Sequence, residues 1–150
     1  NRYLKKLMQE SLAHNKINAF INSYARNKLV VYQGEIESIA SVDVGKELSL
    51  LLGNVIEDIR LSMKAKLLVE NLFNSSIQNH SDFGQILALK NIGILLEPEL
   101  KIDFANLLDQ ASRTNPLFLQ WEGEVQDNKL YFLSNEGIEI DIKNLSHIVL

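Results

Sequence analysis

Apolar residues recur every three or four positions through the first part of the chain: Leu4, Leu7, Met8 and Leu12, then Ile17, Phe20, Ile21 and Tyr24. That is the period of an amphipathic helix, and it predicts a long N-terminal helix over residues 1–26. Asn15 falls between the two sets and marks a break or a change of face. Leu29 to Tyr32 is a short β-rich run followed by Gly34, which predicts a strand. Ile36 to Val44 alternates apolar and polar positions, imperfectly at Ile39, and predicts another. Lys46 to Leu52 predicts a short helix closed by Gly53-Asn54, since glycine tolerates the left-handed conformation that ends many helices. A longer helix follows, with Val55, Ile56, Ile59, Met63 and Leu67 along one face and Leu68, Leu72 and Phe73 continuing it.

The second half changes character. Asn74 to Gly84 is polar and includes His80-Ser81-Asp82, so it predicts a surface loop and not a domain boundary. Ile86 to Leu89 and Ile92 to Leu96 are nearly continuous apolar runs, as in a strand covered on both faces, with Pro98 as its stop. Asp103 is a suitable N-cap for a helix whose apolar face is Phe104, Leu107, Leu108 and Ala111. Leu117 to Trp121 predicts another buried strand. Asp127-Asn128 turns the chain into Lys129 to Leu133, and Ile138, Ile140 and Ile142 alternate with charges in a more exposed strand. His147 to Leu150 is a short apolar ending. Helices alternating with buried strands define an α/β order, here with antiparallel strands added at the C-terminal end. No internal repeat interrupts it, and one α/β domain over residues 1–150 is expected.

Composition narrows the class. Hydrophobic residues are 46% and charged residues 23%, an ordinary globular balance that argues against disorder. The formal charge is −4, from 15 basic and 19 acidic side chains. Nucleic-acid-binding domains are normally basic, so DNA contact is possible but not favoured. The basic clusters are Arg2 with Lys5-Lys6, and Arg60 with Lys64 and Lys66; Glu10, Glu57 and Asp58 dilute them. With no cysteine, disulfides, thiolate chemistry and cysteine-based zinc sites are excluded. No apolar run reaches the ~20 residues that span a bilayer. The first residues, Asn-Arg-Tyr-Leu-Lys-Lys, lack the apolar core of a signal peptide, so the cytoplasm is the expected compartment and no membrane partner is expected.

The stretch from Ile86 to Tyr131 carries a denser pattern. It contains Asn91-Ile92-Gly-Ile94-Leu95-Leu96-Glu-Pro98-Glu99-Leu100-Lys101-Ile-Asp103, then Leu107-Leu108, Ser112-Arg113, Trp121-Glu-Gly123 and Lys129-Leu130-Tyr131. In order and spacing it resembles the BrxF family, small P-loop proteins of type 3 BREX phage-defence systems. A weaker echo runs from Leu29 to Leu52. The resemblance implies a three-layer P-loop NTPase-like sheet over residues 28–150 behind the N-terminal helix. It also implies an accessory role in antiviral defence beside other proteins of the system.

The departures from that pattern concern the nucleotide site. A P-loop needs Gly-x-x-x-x-Gly-Lys-Ser/Thr, whose amides, lysine and hydroxyl hold phosphates and Mg²⁺. After Tyr32 this chain has Gln33-Gly-Glu-Ile-Glu-Ser38, with one glycine, no lysine and two carboxylates that repel a triphosphate. The helix that should follow is shortened or absent. Where the Walker B aspartate should organise Mg²⁺ stands Lys90. Together these losses describe a degenerate, nucleotide-free relative without a cofactor.

The remaining candidates are individual side chains. Arg113, at a helix end after Ser112, is either an arginine finger towards a partner's phosphate or a basic residue suited to a helix C-terminus. Glu97, Glu99 and Asp103 form an acidic corner that could bind metal or serve as acid and base, although Lys101 lies among them and Asp103 has a capping role. His14, His80 and His147 fall in different elements, and no serine sits in a Gly-x-Ser-x-Gly turn. Trp121 reads as packing rather than a base-stacking platform. The N-terminal helix, with Phe20 and Tyr24, is the expected interaction surface for a partner or a second copy. No catalytic or metal site is expected. The function expected is a non-enzymatic accessory subunit acting by protein association. The alternatives are an NTPase with an unorthodox site and a stand-alone DNA- or protein-binding adaptor.

Overall fold

α1 (Arg2–Ile21) is one unbroken helix in the computed structural model, which describes residues 1–55, 57–134 and 137–150. Asn1 caps it by accepting from the Tyr3 amide at 2.8 Å. The helix stops at Ile21 and not at residue 26, because Asn22 and Ser23 turn back onto the carbonyls of Asn18 and Phe20. Asn15 does not break it. The apolar face does change there: Ile17 is buried with Phe20 and Ile21 packed beside it, whereas Leu4, Leu7, Met8 and Leu12 are exposed.

β1 (Leu29–Tyr32) is buried along its whole length, as its unbroken apolar run requires. β2 (Val42–Asp43) is a two-residue strand that leads directly into α2 (Val44–Leu52). The predicted strand over Ile36–Val44 is therefore mostly absent. Ile39 donates its amide to the Ile36 carbonyl at 3.0 Å, and this turn drives both side chains into the core. The closing Gly53 has φ −54, an ordinary right-handed conformation, so the left-handed stop expected there is not used.

α3 (Leu61–Ser75) buries Ala65, Val69 and Phe73. The predicted face is covered only in part: Phe73 is buried and Val55, Leu68 and Leu72 pack against the core, whereas Ile59 is fully exposed and Met63 and Leu67 are more than half exposed. Ile56 lies outside the described residues. Ala65 and Val69 are small enough to let the helix approach the sheet closely, and this decides which stripe is covered.

β3 (Gln78–His80) and β4 (Gly84–Lys90) form a tight antiparallel pair, so the predicted loop over Asn74–Gly84 carries a hairpin with His80 buried. β4 ends at Lys90. Gly93–Leu96 and Pro98–Leu100 are 3-10 turns and not a continuation of the strand. α4 (Phe104–Thr114) starts on Asp103, whose carboxylate accepts from the Asn106 amide at 3.1 Å. β5 (Leu117–Gln120) follows. β6 (Gly123–Gln126), β7 (Lys129–Phe132) and β8 (Glu139–Asp141) make a separate three-stranded antiparallel sheet, and β9 (His147–Val149) returns to the main one. Asp127 and Asn128, at φ 54 and 62, form the β6–β7 turn read from sequence.

The main sheet has the order β2-β4-β5-β1-β9, all neighbours parallel, with β3 antiparallel to the first half of β4. Val30 is level with Phe118 on one side and Ile148 on the other. Strand alternation sends Leu29, Val31, Leu87, Leu89, Leu117 and Leu119 to the face covered by α2, α3 and α4. Val30, Tyr32, Ile86, Ala88 and Phe118 face the other way, onto Ile17, Ile39 and Phe83. The protein is thus a mixed α/β fold with a mostly parallel central sheet covered on both faces. One cover is a layer of helices; the other is the end of α1 and an irregular segment.

Candidate functional site

In an open parallel sheet, ligands collect beyond the carboxyl ends of the strands, where successive connections diverge to opposite sides. Here that place lies after β1, which sends the chain to β2 at one edge, while the path from β5 leads to β9 at the other. Gly34 takes φ +75 immediately after the strand. No helix forms between Tyr32 and Val42, so no helix N-terminus points amides at this crevice. Instead the Gln33 side-chain amide donates to the Gly123 carbonyl, and the Trp121 amide donates to the Tyr32 carbonyl at 2.8 Å. The root of the small antiparallel sheet thereby spans the ends of β1 and β5.

At the next pair of strand ends, Asp43 lies level with Lys90. Asp43 caps α2, accepting from the Lys46 amide at 3.0 Å and from the Asn91 side chain at 2.8 Å. The Lys46 amide foremost, then Asn91, holds its carboxyl below the usual carboxylate range. Sequence reasoning placed Asp43 in a strand and missed this role. The signal was available, since Asp43 precedes an apolar run by one residue with Glu47 in the first turn. Lys90 is half-buried beside it and supplies no oxygen for a cation.

Glu97 and Glu99 are exposed on the 3-10 turns, and Asp103 is engaged in its cap. No cluster of three or more potential metal ligands forms among the described residues.

Arg113 sits at the other end of the molecule. Its guanidinium donates to Asp109 one turn earlier at 2.7 Å, and Arg26 approaches the same carboxylate at 3.8 Å. Asp109 also accepts from the Asn27 side chain at 2.8 Å, just before β1 begins. This places Arg113 at the amino-terminal edge of the sheet, away from the strand ends where a phosphate would bind. Asn27, hydrogen bonding foremost, and then the two guanidinium charges hold the Asp109 carboxyl below its ordinary range.

The fold brings two histidines together that the sequence keeps apart. His14 and His80 flank Phe83, with ring centroids 5.1 and 4.5 Å from it. The amides of Asp82 and Phe83 both donate to His80 Nδ1, at 3.0 and 3.3 Å, which leaves the ring hydrogen on Nε2 facing Ser38 Oγ at 3.1 Å. A histidine that donates to a serine cannot take its proton, so this pair is built for packing and not for nucleophilic attack. His147 hydrogen-bonds the Leu145 carbonyl, apart from both.

Trp121 is buried, stacks on Phe104 at 6.3 Å and donates its indole N–H to the Tyr131 carbonyl. It therefore offers no face to a base. Phe20 is half-buried on the sheet with the Lys28 ammonium 5.7 Å above its ring, whereas Tyr24, beyond the helix end, is fully exposed.

Two surface features remain open. α3 and α4 stand apart, and between them run contiguous hollows of about 410 and 220 Å³. Met63, Val69, Leu107 and Ala111 supply apolar walls, with the buried Leu87 of β4 at the floor of the narrower hollow. The second feature is the N-terminal half of α1, whose apolar stripe of Leu4, Leu7, Met8 and Leu12 is exposed. Among the described residues, no helix is long and apolar enough to cross a membrane. No family model, curated protein or solved structure matches the chain.

Proposed function

We propose that this chain is a non-enzymatic accessory subunit of a BREX-like antiviral defence system, acting by protein association on a P-loop-like scaffold that holds no nucleotide. The observation that carries the association reading is the loop after β1. It enters the sheet's ligand-binding edge with no helix behind it, and Gln33 ties it to Gly123. A phosphate cradle needs consecutive amides presented by a glycine-rich loop and a helix N-terminus. This segment spends its residues on packing Ile36 and Ile39 instead.

The P-loop-like part of the reading is supported by the placement of β1 inside a parallel sheet, with β4, the strand that would carry the Mg²⁺ ligand, two positions away. The defence setting is supported by the BrxF-like residues from Ile86 to Tyr131. Co-expression with the proteins encoded beside it, followed by size-exclusion chromatography, tests the proposal. A stable complex formed without nucleotide is expected. Elution of the chain apart from every neighbour would overturn it.

A further inference from the structure

Three elements meet on one aromatic ring. Phe83, buried between β3 and β4, packs against His14 of α1, His80 of β3 and Phe118 of β5, at ring-centroid distances of 5.1, 4.5 and 5.6 Å. It shares a core cluster with Ile17, which α1 buries. Asp82 serves both histidines: its backbone amide donates to His80 Nδ1 at 3.0 Å, and its carboxylate lies 3.3 Å from His14 Nε2. The Phe83 amide donates to the same Nδ1 at 3.3 Å. The seat of α1 is thus tied to the turn over residues 80–83, and that turn is tied to one ring nitrogen.

That nitrogen accepts only while the imidazole is neutral; the protonated ring has two donors and no acceptor. A proton on Nδ1 would set a third donor against the amides of Asp82 and Phe83, so it binds only after the turn has opened. The open turn takes up a proton that the closed turn excludes, and falling pH therefore favours opening. Against a free histidine titrating near 6.5, that bias reaches ~30-fold at pH 5. The His14–Asp82 pair works the other way, since a charged His14 holds Asp82 more firmly. Both its side chains are solvent-exposed, and an exposed pair is worth at most about fivefold. Opening wins.

We propose that the turn over residues 80–83 is a proton-operated latch on α1. Neutral His80 closes it; protonated His80 releases Asp82 and Phe83, and with them the contacts of His14. Other charges around the cluster are engaged elsewhere or stand in water. Glu10 pairs with Lys6 at 4.0 Å, Lys16 donates to the Val149 carbonyl at 3.0 Å, and Glu37, next to Ser38, is exposed. Tyr32 shares a hydrogen bond with Ser41, and burial pushes its hydroxyl up, away from this range. β4 and β5 present the apolar Ile86, Ala88 and Phe118. The inference goes beyond the accessory-subunit reading and does not depend on it, because the purified chain alone would show it.

Amide hydrogen exchange on the purified chain at pH 7.5 and pH 5.0, corrected for the intrinsic pH dependence of exchange, tests it. Protection of Asp82 and Phe83 and of residues 18–21 in α1 should fall together by about five- to thirtyfold at the lower pH. Protection of β1 and β5 should fall less. His80→Asn should remove the difference, because the asparagine side-chain oxygen accepts from amides two and three residues on without titrating. His14→Gln should keep it. Equal protection of the turn and of residues 18–21 at the two pH values would overturn the proposal, and this wild-type result decides alone if His80→Asn fails to fold. A difference that survives in His80→Asn would overturn it as well. So would one that vanishes in His14→Gln, which would make His14 the sensor.

Discussion

Asn27 donates its side-chain amide to the Asp109 carboxylate at 2.8 Å, joining the approach to β1 to the middle of α4 across 82 positions of sequence. The same amide reaches Ser112 Oγ at 3.0 Å, while the Asn27 backbone exchanges hydrogen bonds with Ser146 Oγ. One fully buried residue therefore fixes α4, β1 and the approach to β9 to one another, its side chain holding α4 and its backbone Ser146. Losing a buried donor and leaving its partners unsatisfied costs about 1–3 kcal/mol. Asn27→Ala should lower the melting temperature accordingly, at about 2–4 °C per kcal/mol for a chain of this size.

Arg113 meets the same carboxylate from outside. An exposed ion pair is worth about 0–1 kcal/mol, so Arg113→Ala should change stability far less than Asn27→Ala. Complex formation with neighbouring proteins should be unchanged. A variant that folds normally but loses a partner's nucleotide turnover would instead mark Arg113 as a finger acting in trans.

Acid should destabilise the protein through Asp43, Asp58 and Asp109. All three carboxyls titrate below their ordinary value: Asp43 mainly through the Lys46 amide, Asp58 mainly through Lys64 and Asp109 mainly through Asn27. A depressed folded-state pKa gives stability that is complete above the unfolded value near 3.9 and is lost as pH falls through the folded one. Their contribution to the denaturant midpoint should hold from pH 7 to about pH 5 and then drop. Asp109→Asn should be less stable at pH 7 and lose less on acidification.

Gly123 is where the small sheet leaves the large one. It has φ +145, and a Cβ there would collide with the Tyr131 carbonyl and the Leu133 amide. Gly123→Ala should therefore cost at least about 1–3 kcal/mol from backbone strain alone. Trp121, the single tryptophan, reports on this junction, because Phe132 packs edge-on against it at 6.0 Å. Its emission should be blue-shifted in the wild type and move towards the red in Gly123→Ala.

Much of the fold was legible where a segment's pattern has one solution. Leu29–Tyr32, Ile86–Leu89 and Leu117–Leu119 read as buried strands because nothing polar interrupts them, and Asp103 announced α4 by its cap. The misreadings share a cause: apolar residues that serve long-range packing rather than a local period. Ile36 and Ile39 plug the sheet from a turn, and Gly93–Leu96 packs from a 3-10 turn. In α3 two stripes have equal spacing, and only the tertiary fit of Ala65 and Val69 chooses between them. That no Gly-x-x-x-x-Gly-Lys-Ser/Thr pattern follows Tyr32 was legible, since it is a local fact. The Asn27–Asp109–Ser112 knot was not, since its members lie 82 and 85 residues apart.

The most direct measurement of the central claim is a thermal-shift titration with Mg-ATP and Mg-GTP. A ligand at 100 times its Kd adds about 2.7 kcal/mol, several degrees at this chain length. No shift is expected up to millimolar nucleotide. A saturable rise in melting temperature would contradict it, showing that the segment after Tyr32 holds phosphate despite lacking a cradle.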